Sequence, residues 1–282
     1  MDSKEFGLVA AQQLFQIEDI HYGFWDIDEK KDLASWKKAQ LKHTQFLFKY
    51  INKFIVDKNN SKLLDVGCGI GVTTKKLLDD GFYADGLVPY KWMADYAKNI
   101  TSKYLKNNKT NIYECKFEDF PLNTNNQKYD LIFFSESYQY VNMKKSFDMI
   151  EKILSKNGTV IIFDFFKRDN IEGESPLGGG HSIGSFYNLL KKYNYNINED
   201  IDVTENLSPN LKLVNDIIID RLIPFSKTLD QFLYSRNKYM YRLIKWIMRK
   251  RINKLQFKYS ESRNEENFIK YKTYRLIVLS KN

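Results

Sequence analysis

The residues with the clearest chemistry run from Lys62 to Thr74. An apolar strand, Lys62-Leu63-Leu64-Asp65-Val66, ends at Gly67-Cys68-Gly69-Ile70-Gly71, and Val72-Thr73-Thr74 opens a helix. Alternate glycines let a backbone pass flat against a ligand, because no Cβ intervenes and positive φ is open to them. A helix start offers N–H groups and the positive end of a dipole to an anionic or polar group. That is the build of a nucleotide-cofactor loop; a tight strand-to-helix turn without a ligand is the plainer alternative. Spacing narrows the cofactor. A dinucleotide loop reads Gly-x-Gly-x-x-Gly after its strand. Here Gly71 comes one residue early and Val72 stands where that pattern wants glycine. A triphosphate loop ends in Gly-Lys-Ser/Thr, and no lysine follows a glycine in this loop. What remains is Asp-x-Gly-x-Gly-x-Gly.

Other reactive groups are scattered. Glu136 lies in Ser135-Glu136-Ser137-Tyr138-Gln139-Tyr140, straight after an apolar run. It either orients a substrate or accepts a proton there, or it caps the next helix. The histidines are His21, His43 and His181. His181 follows Gly178-Gly179-Gly180 and reads either as a general base on a mobile connection or as an ordinary helix-start residue. His43 reads as structural. His21-Tyr22-Gly23-Phe24-Trp25 forms an aromatic loop, in which Tyr22 and Trp25 suit a cation, or core filling. Cys68 and Cys115 have no metal-type spacing, so no metal site is expected; they point to a reducing compartment without disulfides.

The elements that position these groups alternate from Lys62 onward. Strands are expected at 62–66, 82–88, 111–115, 130–134 and 159–165. Helices are expected at about 72–80, 92–105 and 143–154. This alternation argues a doubly wound parallel sheet. The solid apolar run at 130–134 suits a strand buried on both faces. Residues 173–184 hold five glycines and Pro176 and read as a flexible connection. A helix at about 183–193, a strand at 197–203 and a final strand at 271–279 follow. The sixty or so residues before that last strand read as helices, longer than a plain connection. Three parts result: an N-terminal helical cap at 1–60, an α/β domain at 61–203 and 264–282, and a helical substrate-covering insertion at 204–263.

The chain has 282 residues and a net charge of +9. That length holds one large core with a covering segment. The charge is concentrated: Arg236 to Lys258 carries nine lysines and arginines and no acid. Met240, Leu243, Ile244, Ile247, Met248, Ile252 and Leu255 mark one helical face of this segment and Lys238, Arg242, Lys245 and Arg249 the other. A basic amphipathic helix lies on an anionic membrane, binds an acidic partner or nucleic acid, or simply packs on its domain. No apolar run approaches a membrane span, and the N-terminus does not read as a signal peptide. A cytoplasmic protein, peripheral at a membrane if the basic segment binds lipid, is the expectation.

The loop from Asp65 to Gly71 resembles motif I of the class I S-adenosylmethionine (SAM) methyltransferases. The resemblance implies a Rossmann-like, mostly parallel seven-stranded sheet with SAM at its strand tips. It places the methionine part of SAM along Gly67, Cys68 and Gly69, with Gly71 closing the loop and Asp65 bracing it. The family's ribose-binding acid falls at Val88, a departure shared with members resembling cyclopropane fatty acid synthases and tocopherol methyltransferases. The adenine segment falls at Phe117 and Glu118, and the methyl group is bordered by Ser135 and Glu136. His21 to Trp25 resembles the aromatic segment that closes over SAM in lipid- and amine-acting members. The catalytic candidates are therefore His181, Glu136 and Tyr22. The cofactor candidates are Asp65, Gly67, Cys68, Gly69, Gly71, Val88, Phe117, Glu118, Ser135 and Trp25. The implied activity is methyl transfer from SAM to a small or lipid-like acceptor at carbon, nitrogen or oxygen. The alternatives are an RNA methyltransferase and a non-catalytic SAM-binding or membrane-associated protein.

Overall fold

Strands β1 (Lys62–Val66), β2 (Tyr83–Leu87), β3 (Ile112–Tyr113), β4 (Tyr129–Ser135) and β5 (Leu154–Lys167) pair in parallel. β6 (Tyr195–Asp202) and β7 (Lys272–Lys281) complete a seven-stranded sheet of order β3-β2-β1-β4-β5-β7-β6. β7 runs antiparallel to both its neighbours. The computed structural model describes residues 5–6, 9–10, 12–13, 21–122, 128–173, 175–239, 241–242, 245–246 and 263–282. Much of 1–20, and of the basic segment beyond Trp246, therefore lies outside the described residues.

Helices cover both faces. They are α1 (Leu33–Phe54), α2 (Val72–Asp79), α3 (Lys91–Ile100), α4 (Ser102–Leu105), α5 (Met143–Ile153), α6 (Ile183–Tyr193), α7 (Thr204–Leu207), α8 (Pro209–Ile217), α9 (Ile223–Arg236) and α10 (Glu265–Tyr271). α1 starts where the Asp32 side chain accepts the Ser35 N–H, satisfying a first-turn donor. Its buried residues Trp36, Ala39, Gln40, His43, Leu47, Tyr50 and Ile51 recur at three and four, so one stripe faces the sheet. Alternation along β5 splits the core in two. Val160, Ile162 and Phe166 pack with Phe147 and Phe186 of α5 and α6. Ile161 and Phe163 pack with Leu47 of α1, Leu77 of α2 and Leu211 of α8. β4 buries Leu131 to Phe134 completely, as a strand covered on both sides must.

β3 is shorter than the expected 111–115; at its start the Asn111 N–H donates to the Asp85 carboxylate at 2.7 Å. β5 is longer, since its partner β7 pairs with it as far as Lys167. The connection read as flexible is docked. Leu177 is buried, Lys272 Nζ donates to the Gly179 carbonyl at 2.7 Å, and Lys167 N–H donates to the His181 carbonyl at 2.7 Å. Positive φ at Gly179 and Gly180 seats the backbone against the Phe165 ring. Chain order reverses between β1 and β4, so the crevice at their carboxyl ends is where a ligand belongs.

Candidate active site

The β1 tip is built from backbone. Gly67, Gly69 and Gly71 hold φ of +81°, +57° and +87°, the region that penalises a Cβ. A Cβ on Gly67 would stand 2.3 Å from Ser137 Cβ, and one on Gly71 2.8 Å from Ala97 Cβ. The glycines therefore let the loop after β4 and helix α3 close onto the turn. Asp65 is buried and accepts from Thr74 Oγ1 at 2.8 Å, tying the strand end to the first turn of α2. Gly71 brings no side-chain cap to α2, so first-turn N–H groups are the donors a cofactor carboxylate would meet.

The neighbouring tips are mostly side-chain-poor. Val88 is 3% exposed and packs with Cys68, Ala94, Ala97 and Ile112; its N–H donates to the Tyr113 carbonyl at 3.0 Å. Any contact there falls to backbone. Asp85 does not substitute for the missing acid. It points into the sheet, accepting from Tyr129 Oη and the Asn111 N–H at 2.7 Å each and pairing with Lys62 at 3.0 Å. The Phe117 ring packs edge-on against Phe134 at 5.2 Å, and Glu118 accepts the Asn142 N–H at 2.7 Å. Ser135 ends β4, half-buried.

Beyond β4 the site is made of side chains. Glu136 holds φ +55°, an uncommon conformation for a glutamate. Its Oε1 accepts the Tyr22 N–H at 3.0 Å and the Tyr274 hydroxyl at 2.9 Å. It does not cap the following helix, whose cap is Asn142. His43 Nε2 lies 3.4 Å from Tyr274 Oη and 3.6 Å from Glu136 Oε1. His43 stacks between His21 at 4.8 Å and Phe163 at 4.4 Å. Burial, then His21, drives the His43 pKa well below its ordinary value, so the ring is neutral. Burial, then the Glu136 charge, raises Tyr22 to about 12 and Tyr274 well above the ordinary phenol value. Both phenols are neutral hydrogen-bond donors at physiological pH. The Arg263 charge acts on the Tyr22 phenol in the opposite direction.

Asp164 of β5 supports this cluster from behind. Its carboxylate accepts N–H groups from Gln139 at 3.0 Å and Phe165 at 2.8 Å. Complete burial outweighs those bonds and raises its pKa to about 7. The Ser137 hydroxyl donates to the Val66 carbonyl, joining the β4 loop to the β1 tip.

Two expected site residues are placed otherwise. Trp25 is 1% exposed in a small core with Trp36, Ala39, Leu213 and Ile217. Its indole N–H donates to Asn210 Oδ1 at 3.2 Å. It therefore joins α1 to α8 and presents no face to a cofactor. His181 Nε2 donates to the Tyr138 carbonyl at 3.1 Å, with its ring edge-on to Tyr138 at 5.5 Å. It braces the turn after β4. The structure thus brings Glu136 and Tyr22 together and adds His43, Tyr274 and Asp164, which the pattern of the sequence did not select. Tyr274 alone carried a signal: a tyrosine on the inward face of a buried strand needs a partner for its hydroxyl.

A family profile described as a methyltransferase domain matches residues 36–199. The chain belongs to the methyltransferase-domain family. It is a class I member, with SAM as the family's donor. Malonyl-[acyl-carrier protein] O-methyltransferase 2 of Ilyobacter polytropus is 27% identical over 154 residues, which are 51% of this chain and 56% of that protein. The chain thus spans about half the length of that relative. A candidate sarcosine dimethylglycine methyltransferase from Galdieria sulphuraria superposes with a TM-score of 0.72 at 17% identity, over 97% of each chain. The geranyl diphosphate C-methyltransferase of Streptomyces coelicolor, solved with Mg2+, a substrate analogue and S-adenosylhomocysteine, gives a TM-score of 0.68 at 13% identity, over 98% of this chain and 92% of that one. At such identities the structural likeness speaks for the fold. Among the described residues of this methyltransferase domain, no three His, Cys, Asp or Glu side chains gather to hold a metal ion.

Proposed function

We propose that the chain transfers a methyl group from SAM to a small or lipid-like acceptor, with Glu136 and Tyr22 at the reacting end. Gly67 to Gly71 and the start of α2 would hold the methionine part of the cofactor, and the backbone around Val88 and Phe117 its nucleoside. When bound, SAM supplies a methyl group on an activated sulfonium, and its sulfur keeps the electrons of the broken bond. The protein's work is then chiefly alignment and water exclusion. Glu136 takes the proton that an O–H, N–H or acidic C–H acceptor gives up. The Tyr22 N–H and the Tyr274 hydroxyl fix its carboxylate. The N-terminal cap at 1–60 and the insertion at 204–263 cover the acceptor.

The observation that carries this reading is Glu136 itself. It is a glutamate held in a left-handed conformation at the switch point, one residue from the serine that seats Gly67. Such strain, of about 1–3 kcal/mol, persists where surrounding structure enforces it, and it concentrates at active sites. Calorimetry with S-adenosylhomocysteine, followed by transfer of labelled methyl from SAM into a small-molecule extract, tests it. Binding and a labelled product that disappears in Glu136→Gln are expected. A wild type that binds neither SAM nor S-adenosylhomocysteine overturns the reading.

The partner reading for 236–258 is an anionic membrane surface. Support comes from its described part, where Arg236, Lys238, Arg242 and Lys245 accompany Tyr239 and Trp246, 81% and 70% exposed. Cations beside exposed aromatic rings suit a lipid interface. Among the described residues no helix is long and apolar enough to cross a membrane. Co-sedimentation with phosphatidylserine vesicles, lost when these four residues are changed to glutamate, is expected. Salt-sensitive retention on RNA in its place would favour the nucleic-acid alternative.

A further inference from the structure

We propose that His43 is a positioning residue for Glu136: its Nε2–H holds the Tyr274 hydroxyl in the orientation that fixes the carboxylate. The assignment rests on the methyl-transfer reading only where it calls Glu136 the base.

His43 lies on the buried stripe of α1 and is 2% exposed. Its ring is sandwiched between His21 at 4.8 Å and Phe163 at 4.4 Å, so its plane is fixed and its edge does the bonding. The Nε2 edge lies 3.4 Å from Tyr274 Oη and 3.6 Å from Glu136 Oε1. The Tyr274 O–H is committed to Glu136 at 2.9 Å. Nε2 therefore meets two acceptor oxygens and must be the nitrogen that carries the proton. Its bond goes to the hydroxyl, and the carboxylate, just beyond bonding reach, orients the N–H by its charge. Two donors then point the same way, His43 to Tyr274 and Tyr274 to Glu136, and each polarises the next. The titratable groups around the ring are His21 in the loop before α1, Glu136 after β4 and Tyr274 on β7; Asp164 of β5 and Tyr22 bear on Tyr274 in turn. Burial and His21 both disfavour an imidazolium here. A neutral donor orients the carboxylate without neutralising it, which a base requires. α1 contributes a second time. Gln40, one turn back, donates its amide to the His21 carbonyl at 2.8 Å, and His21 Nδ1 lies 2.9 Å from the Tyr22 carbonyl. The same stripe thus holds the loop whose Tyr22 N–H reaches Glu136 at 3.0 Å. A phenylalanine in place of His43 would fill the stack equally well; the nitrogen edge toward Tyr274 is what packing leaves unexplained.

The test uses the full chain saturated with S-adenosylhomocysteine, with nitrogen-labelled histidine and carboxyl-labelled glutamate. NMR should show His43, assigned by the loss of its signal in His43→Gln, neutral and protonated on Nε2 from about pH 6 to about pH 8. The titration midpoint of the Glu136 carboxyl, assigned by its loss in Glu136→Gln, should rise by about one pH unit in His43→Phe, the size expected when support for a charged acceptor is withdrawn. His43→Gln keeps an N–H at the same reach and should reverse most of that rise. An imidazolium, a proton on Nδ1, or a Glu136 midpoint that His43→Phe leaves unmoved overturns the assignment. The last result is what a packing role predicts, because phenylalanine keeps the stack between His21 and Phe163. The wild-type tautomer stands as a test even if His43→Phe does not fold. Failure of the wild type to bind S-adenosylhomocysteine is a different result: it overturns the methyl-transfer reading, and the same spectra of the free chain still test His43.

Discussion

The β1–β3 side of the strand-tip crevice and the β4–β7 side are built from different material. On the first, the functional surface is backbone: three glycines at positive φ, an uncapped helix start, and side chains such as Val88 and Phe117 turned into the core. On the second, it is a cluster of titratable side chains. Glu136, Tyr22, Tyr274 and His43 interlock there. A backbone cradle tolerates no added atom but barely responds to pH. A side-chain cluster tolerates change of shape poorly and depends on which proton sits where. The first suits a donor that is the same in every member of a family, and the second an acceptor that differs.

The sharpest way to break this contrast is Gly67→Ala. The substitution forces alanine to φ +81° with its Cβ 2.3 Å from Ser137 Cβ. We expect about 2–4 kcal/mol of destabilisation together with loss of S-adenosylhomocysteine binding. Denaturant titration and calorimetry read the two separately; a variant that binds normally would mean the loop is only a turn. Next comes Glu136→Gln, which keeps shape and removes charge. Turnover should fall about 10²–10⁴-fold, the usual worth of a positioned base, while cofactor affinity stays within error. An equal fall in cofactor affinity would merge the two sides into one. Tyr274→Phe should then cost turnover about tenfold, as one hydrogen bond to a charged group is withdrawn. A pH–rate profile for that variant, shifted relative to wild type, would distinguish tuning of Glu136 from simple loss of packing.

The same contrast explains what could be read from the chain. The glycine loop is local: thirteen successive residues carry strand, turn and helix start, and each obeys a steric rule visible in one dimension. The doubly wound parallel sheet followed from the alternation of patterns. The acceptor cluster is assembled across the sheet. His43 and Tyr274 meet from 231 positions apart, and Tyr22 and Glu136 from 114. His43 looked structural because it lies on the buried stripe of α1, and it does; the same stripe delivers it to Glu136. Trp25 misled for the complementary reason. In such a loop an aromatic suits a cation or a core equally, and only Asn210, 185 residues away, decides between them. The docked glycine connection was illegible because Lys272, which clips it, belongs to the last strand.

Asp164 extends the comparison to pH. Its pKa in the fold is about 7 against an ordinary 3.8, through burial. Between those values the native protein keeps a proton that the unfolded chain has released. The contribution is therefore complete below pH 3.8 and is lost as pH rises to about 7, so it lowers stability in that direction. Urea titrations across this range should show a falling midpoint component that Asp164→Asn removes. A component that persists in Asp164→Asn would assign the titration to another group and would free the β4 loop from control by this carboxyl.

The smallest effect is expected at Glu118, the one carboxylate on the donor side that sequence reasoning assigned to the adenine. In the fold it accepts the Asn142 N–H just before α5. Glu118→Gln retains an acceptor at the same reach, and an exposed bond of this kind is worth about 1 kcal/mol or less. Cofactor affinity should therefore change by no more than about fivefold, that energy expressed as a ratio. If the fall is a hundredfold instead, Glu118 leaves Asn142 to grip the nucleoside. The donor side would then depend on a side chain after all, and its difference from the β4–β7 side would be one of degree.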